Sequence, residues 1–124
     1  MLEPKRITNM IKRHEEMKTE IKEHMRGGAK QVVMEHIMDN GTVAHCRMFA
    51  KLTLEPGASI GEHQHTGETE YYWILQGEGI VTEADGEKHV KPGDVVITGG
   101  GASHAIRNDG TQDLVFMALI ILDK

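Results

Sequence analysis

The sequence predicts an all-β protein, a sandwich or barrel of short strands preceded by one N-terminal α-helix. Three observations carry that expectation. Short apolar runs recur between Gln31 and Leu122, with glycine turns between them, as in an antiparallel sandwich or barrel. From Val43 to Leu54 the apolar positions alternate: Ala44, Cys46, Met48, Ala50, Leu52 and Leu54 share one face. That is the period of a half-buried strand. A helical period occurs once, before Gly27-Gly28.

The whole chain sets bounds. Its 124 residues suit one domain with one core. Residues 1–28 read as a helical segment and residues 29–124 as the barrel domain. Hydrophobic content of 39% and charged content of 27% are ordinary for a globular protein. A net charge of -5 argues against nucleic acid and anionic membrane as partners. No apolar run approaches the roughly 18 residues of a membrane span. The first residues, Met1-Leu2-Glu3-Pro4-Lys5-Arg6, lack the apolar stretch of a signal peptide. Cys46 is the single cysteine, so no intramolecular disulfide is possible and a cytoplasmic setting is expected.

Taken in order, residues 8 to 25 are expected to form the helix. Ile7, Ile11, His14, Met17, Ile21 and Met25 fall at three- and four-residue steps. Thr8 or Asn9 would cap it, and Gly27-Gly28 would end it. Gln31–Met38 follows as a strand, closed by a hairpin turn at Asn40-Gly41. After the Val43–Leu54 strand, Glu55-Pro56-Gly57 turns the chain. Further strands are expected at Tyr71–Gln76, Ile80–Glu83, Glu87–Val90, Val95–Ile97, His104–Asn108 and Leu114–Leu122. The last is apolar on both faces, which suits a strand between layers or in a dimer interface. Cys46 reads as a small core residue rather than a nucleophile.

One stretch carries chemistry. His63 and His65 stand one residue apart, so in a strand both imidazoles aim at one face. Glu70 follows after a short turn. Imidazole with carboxylate suits a divalent transition metal. His104 is the remaining candidate ligand; alone, it would read as a hydrogen-bonded core histidine.

Two segments together resemble the cupin family. Gly57, His63, His65, Glu70 and Gly77 stand at the spacing of its first motif. Gly93, Gly101, His104 and Asn108 stand at that of its second. One departure is Gly99, where the family usually has proline; glycine can take the same turn. The resemblance covers roughly residues 43 to 122 and leaves out the N-terminal helix. It implies a jelly-roll barrel, the double-stranded β-helix, with His63, His65, Glu70 and His104 as ligands of one metal inside. Mn, Fe, Ni, Co, Cu and Zn are all compatible. Such barrels commonly form homodimers through sheet faces.

Around that centre Tyr72 should face inward with Glu70. It could donate a hydrogen bond or act as a general acid, or simply be a rim aromatic. Met48 and Ile106 should form apolar walls, and Asn108 should support a turn. Arg47, Glu62 and Arg107 should point away. With no inward arginine evident, an oxalate-type substrate is disfavoured. His14 and His24 read as packing or surface residues; His36, His45 and His89 read as surface residues. Three functions follow. The first is a metal-dependent enzyme acting on a small oxygen-rich substrate, a carboxylate or diketone, by decarboxylation or dioxygen chemistry. The second is a non-catalytic module that binds or senses a small ligand. The third is a sugar or sugar-phosphate isomerase or epimerase, which would need a basic phosphate pocket.

Overall fold

The computed structural model describes residues 10–124. Ten strands form two antiparallel sheets: β1 Lys18–Glu23, β2 Gln31–Met38, β3 Cys46–Leu54, β4 Ser59–Gln64, β5 Glu68–Gln76, β6 Gly79–Glu83, β7 Gly86–Val90, β8 Val95–Gly99, β9 Ser103–Arg107 and β10 Leu114–Leu122. The larger sheet runs β1-β2-β3-β10-β5-β8 and the smaller β4-β9-β6-β7. This is the all-β architecture that the alternation predicts.

Alternation also explains the core. On β3, Cys46, Met48, Ala50, Leu52 and Leu54 are buried. The last four join one core with Val32 and Met34 of β2, Tyr72 and Ile74 of β5, and Leu114, Phe116 and Ala118 of β10. Ile60, Val81 and Ile106 come from the smaller sheet, so one core fills the space between the two inner faces. β10 lies between β3 and β5. Its inner face is buried, while Val115, Met117, Leu119 and Ile121 stay half-buried outside.

Among the described residues the expected N-terminal helix is not present. Thr8 and Asn9, its expected caps, lie outside the described residues. Within them the chain forms a 3-10 turn at His14–Glu16, the strand β1, and a second 3-10 turn at Met25–Gly27. β1 pairs with β2 from Lys18 opposite His36 to Glu23 opposite Gln31. An isolated helix of this length is marginal in water, whereas the β2 edge offers a row of unpaired backbone groups. Side chains add to the pairing: His36 Nε2 meets Glu20 at 3.0 Å and His14 Nε2 meets Glu35 at 2.7 Å. His36 is therefore buried rather than a surface residue. His45 and His89 are exposed, as expected.

The β2–β3 connection is also longer than a two-residue hairpin. It spans residues 39–45 and begins β3 at Cys46 instead of Val43.

Candidate metal centre

Three strands and one turn build the centre. Ile60 of β4 is buried, so strict alternation would turn Glu62 inward and His63 outward. A bulge corrects this. Ile60 pairs with Ile106 but His63 pairs with His104, which leaves an extra residue on β4 between them. The parity resets, Glu62 stays exposed, and His63 and His65 both face inward. β5 alternates without interruption over Glu68, Glu70, Tyr72 and Ile74, all buried. β9 brings His104 across from His63.

The four residues that the motif spacing singles out come together as a cluster compatible with a metal ion. Glu70 Oε1 lies 2.9 Å from His65 Nε2, 3.0 Å from His104 Nε2 and 3.6 Å from His63 Nε2. His104 Nε2 lies 3.0 Å from His63 Nε2 and 3.2 Å from His65 Nε2. Ligands about 2.1 Å from a shared ion are themselves about 3.0 to 3.4 Å apart at right or tetrahedral angles; four of the five spacings lie in or within about 0.1 Å of that range, and His63 to Glu70, at 3.6 Å, is wider.

Proton placement gives an independent test of fit. His63 Nδ1 donates to the Gly61 carbonyl at 2.8 Å. His65 Nδ1 donates to the Glu68 carboxylate at 2.5 Å. A neutral imidazole carries one proton, so in both rings Nε2 presents a lone pair to the centre. His65 then aims a lone pair at a carboxylate oxygen 2.9 Å away. For the neutral ring, a metal cation between the two groups resolves that contact, and the donor set of three imidazoles and one carboxylate suits a divalent transition metal.

The carboxylates are ionised for stated reasons. Burial pushes the Glu70 carboxyl up. With no ion bound and the imidazoles protonated, hydrogen bonds from His104 and His63 and the charges of His65 and His104 outweigh it and hold the group at about 2. At Glu68 the hydrogen bonds from Arg47 come first; they exceed the opposing effect of burial and hold it below the usual carboxylate range. Tyr72 is fully buried and its ring stacks on His104 at 4.9 Å. Burial, then the Glu70 charge, pushes its phenol well above the ordinary range.

Beside the cluster lies a cavity of about 50 Å³. Met48, Leu52 and Ile120 give it apolar walls; His63, His65, Glu70 and Tyr72 form its polar side; Met25, Arg26 and Arg47 stand at it too. Ile106 packs in the core and is not among the cavity's lining residues. Asn108 supports a turn, as expected: its amide donates to the Leu54 and Gln112 carbonyls and its carbonyl accepts from Gly110. Arg107 pairs with Glu87 away from the centre.

Two arginines overturn the expectation that none faces the site. Arg47 sits at a second bulge: Ile120 opposes Met48 and Ile121 opposes Cys46, leaving Arg47 unmatched. It stays exposed between buried Cys46 and Met48, and its guanidinium grips Glu68 at 2.7 and 2.8 Å. Arg26 has a left-handed backbone, φ 56, within the turn that replaces the expected helix end. The arginine ion pairs among the described residues are Arg47–Glu68 and Arg107–Glu87, so Arg26 has no carboxylate partner among those residues. Glu68 was within reach of sequence reasoning, since it shares the strand parity of Glu70 and Tyr72. No sequence signal marked either arginine.

Comparison with known proteins agrees with this picture. A family model described as a cupin domain matches residues 50–121. An oxalate-binding protein from Thermotoga maritima is 42% identical over 116 residues, covering 93% of this chain and 96% of that protein. The crystal structure of a predicted oxalate decarboxylase from Thermotoga maritima superposes with a TM-score of 0.85 at 42% identity. It covers 91% of this chain and 99% of that one. A sugar phosphate isomerase from Silicibacter pomeroyi aligns with a TM-score of 0.64 at 19% identity, over 73% of this chain and 59% of that one. That last likeness shows the fold alone.

Proposed function

The chain belongs to the cupin family, and on that premise we propose that it binds a small dicarboxylate of the oxalate class at a divalent metal held by His63, His65, Glu70 and His104. The observation that carries this reading is Arg26, a cation without a carboxylate partner among the described residues, lining a cavity of about 50 Å³ with His63, His65 and Glu70 of the cluster. Small-molecule pockets are usually about 300–1,000 Å³, so this one favours a ligand of a few heavy atoms and disfavours a sugar phosphate. The 42% identical oxalate-binding protein supports the same ligand class. The earlier objection, the lack of an inward arginine, no longer applies.

The roles follow from the geometry. The metal would supply Lewis-acid coordination to carboxylate oxygens. Arg26 would pair with the carboxylate end away from the cluster, because its guanidinium has donors in a fork that matches a carboxylate. Met48, Leu52 and Ile120 would keep bulk water from the bound diacid. Tyr72 would donate a hydrogen bond to it, since a phenol held far above its ordinary range stays protonated.

Catalysis is the second reading, favoured by the position of Tyr72. Splitting monoprotonated oxalate into formate and carbon dioxide breaks the C–C bond and needs a proton delivered to carbon. Among the lining residues Tyr72 is the sole neutral O–H, and burial makes it a poor acid; Glu68 is already committed to Arg47 and His65. Binding is therefore the primary reading. Two further proposals accompany it. Trp73, Val95 and Ile97, exposed at 52%, 51% and 61%, would form part of a homodimer contact on the outer face of the larger sheet. The lone buried thiol of Cys46 suits a reducing, cytoplasmic compartment.

Calorimetry with oxalate on metal-loaded protein tests the reading, with formate assayed in the same samples. Oxalate binding without formate is expected, weakened about tenfold or more in Arg26→Met, the scale of one charge-assisted contact. A protein that takes up no divalent ion, or a loaded protein indifferent to oxalate, overturns the reading. Formate release would establish the second reading instead.

A further inference from the structure

We infer that the Arg47–Glu68 ion pair is the positioning device for His65, fixing its tautomer and the aim of Nε2 at the centre. This rests on the metal reading above and assigns a task to two residues outside the four-residue cluster. Glu68 is buried and spends both oxygens: Oε1 accepts from Arg47 Nε at 2.7 Å, and Oε2 accepts from Arg47 Nη2 at 2.8 Å and from His65 Nδ1 at 2.5 Å. A carboxylate in a bidentate grip from arginine can only accept hydrogen bonds. Nδ1 of His65 must therefore carry a proton, and in the neutral ring Nε2 is left as a lone pair.

The alternative tautomer shows why this matters. With its proton on Nε2, His65 would donate to Glu70 Oε1, 2.9 Å away. That hydrogen bond would satisfy both groups and occupy the direction an ion needs. Glu68 suppresses this self-satisfied state by holding the proton on the far side of the ring. The other two rings are oriented by neutral partners, the Gly61 carbonyl for His63 and the Thr98 hydroxyl for His104. His65 alone among the three has an anion behind it, which raises its strength as a donor.

The device is tertiary. Arg47 comes from the β3 bulge, Glu68 opens β5, and His65 follows β4. Arg47 also compensates the buried Glu68 charge, which would otherwise be costly. Replacing Arg47 should thus act on His65 through Glu68 without touching the ring.

Two measurements on the full chain decide the matter. The first is ring ¹⁵N NMR of histidine-labelled, metal-free protein. The second is Mn²⁺ affinity, from the electron paramagnetic resonance of free ion. Wild type should show His65 as the Nδ1–H tautomer. Glu68→Gln, nearly isosteric, should lose that fixed state and bind Mn²⁺ about 10- to 100-fold more weakly. Arg47→Met should do the same, and Arg47→Lys, which keeps the charge but not the fork, should recover part of the loss. Thermal unfolding of each metal-free variant separates this from a loss of fold. An Nε2–H tautomer in wild type, or folded variants within twofold of wild-type affinity, overturns the inference. A wild type that takes up no ion overturns the metal reading, and the ring spectra then still decide whether Glu68 sets the tautomer.

Discussion

Glu70 is pulled two ways. Burial favours its neutral form, while the three imidazoles favour the carboxylate and prevail, holding it at about 2 against an ordinary 4.5. A depressed carboxyl contributes stability that is fully present above the unfolded value and is lost as pH falls through the folded one. Metal-free protein should therefore lose stability between about pH 4.5 and about pH 2, and Glu70→Gln should flatten that stretch in urea unfolding followed across acid pH. His104 is the other pivot: it touches Glu70, His63 and His65, accepts or donates at Thr98, and stacks on Tyr72. His104→Ala should leave purified protein with most of its metal gone by elemental analysis; unchanged content would remove His104 from the ligand set. Phe116 is completely buried with its ring 4.6 Å from that of Tyr72. Phe116→Ala should cost about 3–5 kcal/mol in equilibrium unfolding. His63 and His65 were legible from spacing, because a strand's two-residue period places i and i+2 together; His104 joined Glu70 and that pair only through the resemblance to the cupin motifs. Glu68 obeys the same parity. Arg47 obeys it too, exposed between buried Cys46 and Met48; its grip on Glu68 is a contact between strands, which spacing along one strand does not report.

Among the elements, the segment from His14 to Gly28 departs most from its sequence pattern. Its apolar stripe was real, but every residue of β1 is exposed, Ile21 included. The stripe therefore does not bury itself as a helix face would. Backbone pairing with β2 and the ion pairs of Glu20 and Glu35 account for the strand instead. The segment ends at the turn that carries Arg26, and that turn presses on β4. A Cβ at Gly61 would collide with the Arg26 carbonyl, and one at Gly28 with the Ser59 carbonyl. Gly61→Ala should force the Met25–Gly28 turn off β4 and carry Arg26 away from the cavity. Oxalate affinity should then fall while metal content stays near wild type, a split that calorimetry and elemental analysis can separate. Loss of metal as well would mean that the β4 bulge itself had shifted.

For the whole molecule, two sheets enclose one core and leave an apolar outer face. Trp73 pairs across to Val95 and to Met117, and Tyr71 pairs to Ile97 and to Leu119, so these side chains form a continuous patch. Patches of this kind mark contact sites. Wild type should sediment as a dimer, and Ile97→Lys should shift it toward monomer at equal concentration; identical sedimentation would place any dimer contact elsewhere. No described helix is long and apolar enough to cross a membrane. By itself the sequence determined the all-β class and most strand positions, which follow from short-range periodicity, and its resemblance to the cupin motifs singled out the four residues that cluster. Only the tertiary structure decided that the N-terminal stripe becomes an edge strand, that a bulge on β4 re-aims His63, that Arg47 grips Glu68, and that Arg26 reaches the cavity. Those outcomes depend on which backbone edges are open and which strands lie opposite. Both are properties of residues far apart in the chain, and local pattern carries no record of them.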